Sequence, residues 1–192
     1  MRRKIKSSIN SIPLNCVDKC LLALDSVDEP MLFYVTLSLE GEVNYVRFNQ
    51  AILSAQQAYP VMRTILRSSH FRLFREIQED LGKGVLRIAD QAQLQDKNHE
   101  SYLLSWINQP MNIKKEFPVK VLLLRKNERQ YSLVFTFHHS AADGLRTLFF
   151  VRKVIEIYNN ELSQDSKLSG DIRIHRKGDE LLEFAHSQRA NV

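Results

Sequence analysis

The chain is poor in cysteine, glycine, proline and tryptophan, and each shortage removes a class of protein. Two cysteines in 192 residues, Cys16 and Cys20, cannot build the disulfide framework of a small secreted domain, and no histidine or third cysteine stands near them at metal-ligand spacing. They read as half-buried thiols on one helix face in a reducing, cytoplasmic setting, with no metal site. Six glycines and five prolines exclude collagen-like and low-complexity chains. No run approaches the roughly 18 apolar residues of a membrane-spanning helix. The longest are strand-like pieces such as Val121-Leu122-Leu123-Leu124, so no integral membrane segment is expected. An aromatic array spaced for base stacking is also missing, and the excess of 27 Lys and Arg over 22 Asp and Glu is dispersed, so nucleic acid is not an expected partner. Part of that charge lies in Met1-Arg2-Arg3-Lys4-Ile5-Lys6, but Ser7-Ser8-Ile9-Asn10 follows, which reads as a basic tail over residues 1–10 rather than a signal peptide.

What remains is an ordinary globular composition, 44% apolar and 26% charged, with strand and helix patterns in alternation. Leu14, Val17, Leu21 and Leu24 repeat at helical spacing, predicting a helix within Ile12 to Leu24 opened by Pro13 and Asn15. Met31 to Leu39, ended by Gly41, predicts a strand. Phe48, Ala51, Ile52, Ala55, Ala58 and Tyr59 form one face of a helix that Pro60 stops. Val61 to Arg67, Phe71 to Ile77 and Val85 to Ile88 are β-leaning, and residues 96 to 108 predict a helix before Pro110. Val119 to Leu124 and Tyr131 to Phe137, separated by a charged turn, predict a hairpin. Gly144 to Leu162 predicts a long helix with Leu148, Phe149, Val151, Ile155, Tyr158 and Leu162 inward and Asp143 as N-cap. A polar linker follows from Ser163, and Asp179 to Gln188 is a short candidate helix.

The chemistry is concentrated in His138-His139-Ser140-Ala141-Ala142-Asp143-Gly144, between the second hairpin strand and the long helix. Adjacent side chains on an extended segment point to opposite faces, so one histidine faces a cavity and the other the scaffold. One of the two is a candidate base, because imidazole accepts and returns a proton near neutral pH. Ser140 beside His139 gives no nucleophile–base geometry by adjacency alone. His70, His99, His175 and His186 are isolated and read as surface.

This heptapeptide resembles the signature of the acyltransferase superfamily of chloramphenicol acetyltransferase, nonribosomal peptide condensation domains and wax ester synthases: two histidines, three residues, Asp-Gly. Weaker segments agree in order. Pro13-Leu14 with Asp18, and Pro30-Met31, are similar to the wax ester synthase and polyketide-associated branches. Tyr59-Pro60-Val61-Met62-Arg63-Thr64 resembles a family Pro-x-Leu-Arg segment, as Asn108-Gln109-Pro110-Met111-Asn112 with Pro118-Val119-Lys120 resembles its Pro-Phe-Asp-Leu stretch. The resemblance implies an α/β (α+β sandwich) fold, a chloramphenicol acetyltransferase-like lobe with a mixed, largely antiparallel sheet packed by helices. It implies an N-terminal acyltransferase lobe over residues 11–165, with 166–192 as linker and start of a connection to a missing second lobe.

It further implies roles. His139 is the general base that takes a proton from a hydroxyl or amine as that group attacks an acyl thioester. His138 supports the loop, Asp143 pairs with Arg63, and Gly144 permits a backbone conformation or close approach that a Cβ would hinder. The expected substrate is acyl-CoA or a phosphopantetheinyl thioester on an acyl carrier protein, with no permanently bound cofactor. The expected partners are that carrier and a C-terminal lobe or second subunit. Two alternatives stand beside this reading: a homo-oligomeric enzyme like chloramphenicol acetyltransferase, and a non-catalytic module that binds a carrier protein.

Overall fold

The computed structural model describes residues 10–164 apart from 71, 83, 91–93 and 95–97, and for 161–164 it describes the backbone alone. The basic tail, the linker and the candidate helix from Asp179 lie outside the described residues. Among the described residues, no helix is long and apolar enough to cross a membrane.

Four strands form the main sheet: β2 (Leu32–Glu40), β5 (Leu86–Ala89), β6 (Val119–Arg125) and β7 (Gln130–His138). Their order is β2-β7-β6-β5, antiparallel except for the parallel β5–β6 pair. The expected mixed, largely antiparallel sheet packed by helices is therefore present. From Tyr131 to His138 every residue of β7 is buried, the pattern of a strand covered on both faces.

Alternation along β7 sorts its side chains between two layers. Leu133, Phe135 and Phe137 face α2 (Tyr45–Ala58) and α4 (Gly144–Gln164), meeting Phe48, Ile52, Phe150 and Tyr158 in the larger core. Val134 faces the other way, where Leu122, Leu124 and Ile107 form a second cluster beneath α3 (His99–Ile107). Lys120 fastens α3 there. Its ammonium donates to the carbonyls of Trp106 (2.8 Å) and Gln109 (2.6 Å) and lies 5.0 Å from the indole centroid. Burial lowers the Lys120 pKa to about 8.

A second sheet, β1 (Ser11–Pro13), β4 (Arg72–Ile77) and β3 (Thr64–Ser69), packs beside the first in the order β1-β4-β3. Local chemistry moved two boundaries here. Pro13 pairs with Phe74 in β1, and helix α1 (Cys16–Leu24) begins only after Asn15. There the Asn15 side chain accepts from Asp18 N–H (2.8 Å) and Asp18 accepts from Asn15 N–H (3.0 Å), a reciprocal cap. Residues Pro60–Arg63 form a 3-10 turn where a strand was expected. Proline at its start favours the turn, and the buried Gln56 amide donates to the Met62 carbonyl (2.9 Å), so the strand starts at Thr64.

Two burial expectations are also corrected. Cys16 and Cys20 are both exposed, because α1 turns Leu21 and Leu22 toward the protein and has no fully buried residue. On α4, Leu148 and Phe149 are 50% and 54% exposed while Phe150, Val154 and Tyr158 are fully buried. The helix carries apolar residues on two stripes. The stripe through Thr147, Phe150, Val151, Val154 and Tyr158 meets the sheet, and Leu145, Leu148 and Phe149 fall on the opposite side.

These neighbours provide a test. Phe150→Ala removes a ring in contact with Phe135 and Phe137 (centroids 6.3 and 6.0 Å away) and lowers unfolding free energy in urea by about 4 kcal/mol. Phe149→Ala changes it by less than about 0.5 kcal/mol.

Candidate active site

The β2–β7 register carries the hairpin to the histidines: Phe33 lies opposite Phe137 and Leu32 opposite His138. The ladder continues one step further, His139 N–H donating to the Met31 carbonyl (2.8 Å). The two imidazoles consequently leave the chain on opposite faces of the sheet. His138 is fully buried, whereas His139 is exposed. The His139 ring rests 4.8 Å from Phe33, which stacks on Phe137 at 5.6 Å, and Phe137 meets Phe150 at 6.0 Å. An aromatic chain from the larger core thus supports one side of an imidazole whose remainder is open.

His138 is held by polar contacts around its ring. Ser140 N–H donates to Nδ1 (3.2 Å), with Ser140 Oγ 2.8 Å from the same nitrogen. An accepting Nδ1 puts the proton of the neutral ring on Nε2. That atom lies 3.2 Å from Asp25 Oδ2, in a contact too angled to count as a well-formed hydrogen bond. Burial lowers the His138 pKa, opposed by Asp25 and reinforced by Arg75 and His139. The ring is accordingly a neutral structural group at pH 7, and the contact with Asp25 is not an ion pair.

A buried arginine braces the loop from outside. Arg75 of β4, 6% exposed, donates through Nη2 to the Ser140 carbonyl and through Nη1 to Asp18 (3.0 Å). Asp18 also completes the reciprocal cap of α1 by accepting Asn15 N–H, so one carboxylate joins that helix to the motif loop. Burial alone would raise the Asp18 pKa, but the hydrogen bonds from Arg75 and from Asn15 N–H outweigh it and hold it below the usual carboxylate value.

The expected pair between Asp143 and Arg63 is not formed. Arg63 donates through Nη1 to the Gln78 carbonyl and accepts Gln78 N–H on its own carbonyl (2.9 Å), which ties it to the end of β4. Asp143 instead caps α4, accepting from Arg146 N–H (2.8 Å), and lies 3.6 Å from the Arg146 guanidinium in a largely exposed contact. Gly144 also departs from expectation. It has no positive φ, and a Cβ built there meets nothing within 4 Å. It is the first residue of α4, where helical backbone suits any residue, and the space beside it is open. Position along the chain unites His138, His139, Asp143 and Gly144; folding adds Asp25, Arg75 and Asp18. Asp18 stood in the resemblance without a role. Asp25 and Arg75 carried no sequence signal, because their partners are distant in the chain.

With this geometry described, similarity to known proteins becomes informative. The family model for the condensation domain matches residues 21–172. The chain belongs to the condensation-domain family. Its similarity to one of the protein components of plipastatin synthase from Bacillus subtilis (strain 168) is 22% identity over 160 residues, 79% of this chain and 4% of that protein. Condensation domains are acyl- and peptidyl-transferring enzymes.

Solved structures share the fold at low identity. The starter condensation domain of rhizomide synthetase RzmA in complex with C8-CoA superposes with a TM-score of 0.68 at 16% identity, over 81% of this chain and 37% of that one. The X-domain from teicoplanin biosynthesis gives 0.68 at 18%, over 79% and 33%. SgcC5 from Streptomyces globisporus gives 0.66 at 17%, over 93% and 42%. The chain thus spans 33% to 42% of the length of these three solved structures.

Two outcomes follow from the buried contacts. Arg75→Ala leaves the Ser140 carbonyl without a donor and the Asp18 carboxylate without its countercharge, and lowers stability by about 3 kcal/mol in denaturant titration. Since the folded pKa of His138 is below its unfolded value, stability from the neutral ring is complete above about pH 6.5 and falls as pH drops toward the folded pKa. The slope reaches about 1.4 kcal/mol per pH unit at most. His138→Gln lacks that component, so its stability difference from wild type narrows as pH falls from 7 to 5.

Proposed function

We propose that the chain is an acyltransferase lobe of condensation type in which His139 is the general base. The observation that carries the reading is the division of the pair: His138 is sealed and neutral, and His139 is the exposed imidazole at the junction of β7 and α4. An amine or hydroxyl acceptor gives its proton to an unprotonated ring nitrogen as its lone pair attacks the carbonyl carbon of a thioester. The carbon–sulfur bond then breaks, and the departing thiolate takes the proton back from the imidazolium. The positive end of α4 is oriented toward the loop and favours negative charge developing on the carbonyl oxygen.

The donor is acyl-CoA or an acyl group on a carrier protein; the C8-CoA complex of the RzmA starter domain supports the first. Neither donor is a resident cofactor, and a cytoplasmic setting accompanies this substrate class. A second lobe or subunit completes the cavity. Leu145, Leu148 and Phe149, 69%, 50% and 54% exposed, form an apolar strip immediately after the motif that favours a covering surface. The second reading, a binding module, is favoured by one observation: the teicoplanin X-domain, which shares the fold, was solved as a complex with OxyB.

The test is transfer from acyl-CoA and from an acyl carrier protein to amines and alcohols, with the chain alone and with a second lobe supplied. His139→Ala in the completed enzyme lowers kcat by about a hundredfold or more, and unchanged transfer would remove the base assignment. Gly144→Ala separates folding from function. It leaves stability equal or slightly higher, since alanine is the better helix former, and lowers transfer if substrate enters the open space beside that position.

A further inference from the structure

The motif loop contains a constellation that the transfer reading leaves unused. Ser140 Oγ, His138 and Asp25 follow one another at 2.8 and 3.2 Å, the order that in an open cavity marks an activated nucleophile. Burial excludes that use. Ser140 is 4% exposed and His138 is fully buried, so an acyl carbonyl has no approach to the hydroxyl. The Nδ1 lone pair that would deprotonate the hydroxyl is also shared with Ser140 N–H.

The carboxylate at the end of this row has a second attachment. Asp25 Oδ1 accepts Met31 N–H (2.9 Å), and the Met31 carbonyl accepts His139 N–H (2.8 Å). On its other side, Asp25 Oδ2 faces Nε2 of His138. One side chain thus contacts both the residue preceding His139 and the residue that anchors the His139 backbone.

We propose that Asp25 is a positioning residue for the base, its two oxygens fixing Met31 and the His138 ring so that the His139 imidazole stands against Phe33 at the end of β7. The inference rests on reading His139 as the base. Chemistry explains why a carboxylate suits both neighbours: Met31 N–H donates to Oδ1, and the Nε2 edge of His138 stands 3.2 Å from Oδ2 as an electrostatic contact, so neither oxygen meets another acceptor. Asparagine has the same shape but turns one acceptor into a donor, which must confront either Met31 N–H or His138 Nε2–H.

The experiment is nitrogen-15 imidazole spectroscopy of the whole 192-residue chain at pH 7, with transfer kinetics of the enzyme completed by its second surface. Wild type is expected to hold His138 as the Nε2–H tautomer. In Asp25→Asn the His138 and His139 ring resonances shift, with kcat about tenfold to a hundredfold lower and KM within about twofold. Wild-type His138 carrying its proton on Nδ1 would overturn the proposal, and this measurement needs no variant to fold. Unchanged ring resonances and kcat in Asp25→Asn would overturn it equally. Ring resonances that move in Asp25→Asn while His139→Ala retains full transfer would support the clamp and reject the base.

Discussion

The arrangement depends on β7 passing through the middle of the sheet with both faces covered. A strand packed on two sides has no freedom in register, because a slip of one residue would exchange every side chain between the α2–α4 layer and the α3 layer. Leu133, Phe135 and Phe137 are committed to the first layer and Val134 to the second. That commitment propagates to the last residues of the strand, where His138 must turn inward and His139 outward. The direction in which the His139 side chain leaves the strand is thus set by hydrophobic packing several residues away.

Packing alone leaves the loop after β7 free to shift, and charged contacts from two other segments restrain it. Arg75 approaches from the small sheet and Asp25 from the segment that leads into β2. Both act on the residues either side of His139 and leave its ring untouched. A buried ion pair such as Arg75 with Asp18 adds little net stability compared with apolar packing, since desolvation of both charges offsets much of their attraction. Its geometric demand is high, however, and that demand restrains the motif loop around His138 and His139.

The exposed stripe of α4 has a related origin. A helix packed on one face needs apolar residues along a single stripe, and α4 has a second at its start, beside the loop. Leu145, Leu148 and Phe149 are expensive to leave in water. They follow directly on the motif loop, beside the exposed imidazole of His139.

Much of this was legible in the residues. Period-two and period-3.6 patterns located β2, α2, the β6–β7 hairpin and α4, because those elements bury one face or a whole strand and their composition is constrained accordingly. The heptapeptide identified the two histidines, and its family resemblance named the outer one as base. Reading α4 as singly amphipathic failed at Leu148 and Phe149, since a sequence lists apolar residues without saying which stripe meets the sheet. The Arg63 pairing failed for a similar reason: an arginine can reach many acceptors, and its choice follows from where β4 and the turn at Pro60–Arg63 end. By itself the sequence determined the motif and the longer helices and strands, whose periodic patterns arise from residues near one another in the chain, and its family resemblance named the fold class. Only the tertiary structure decided that Asp25 and Arg75 hold the loop, because their partners lie far along the chain and are brought within hydrogen-bonding distance by the packing of the two sheets.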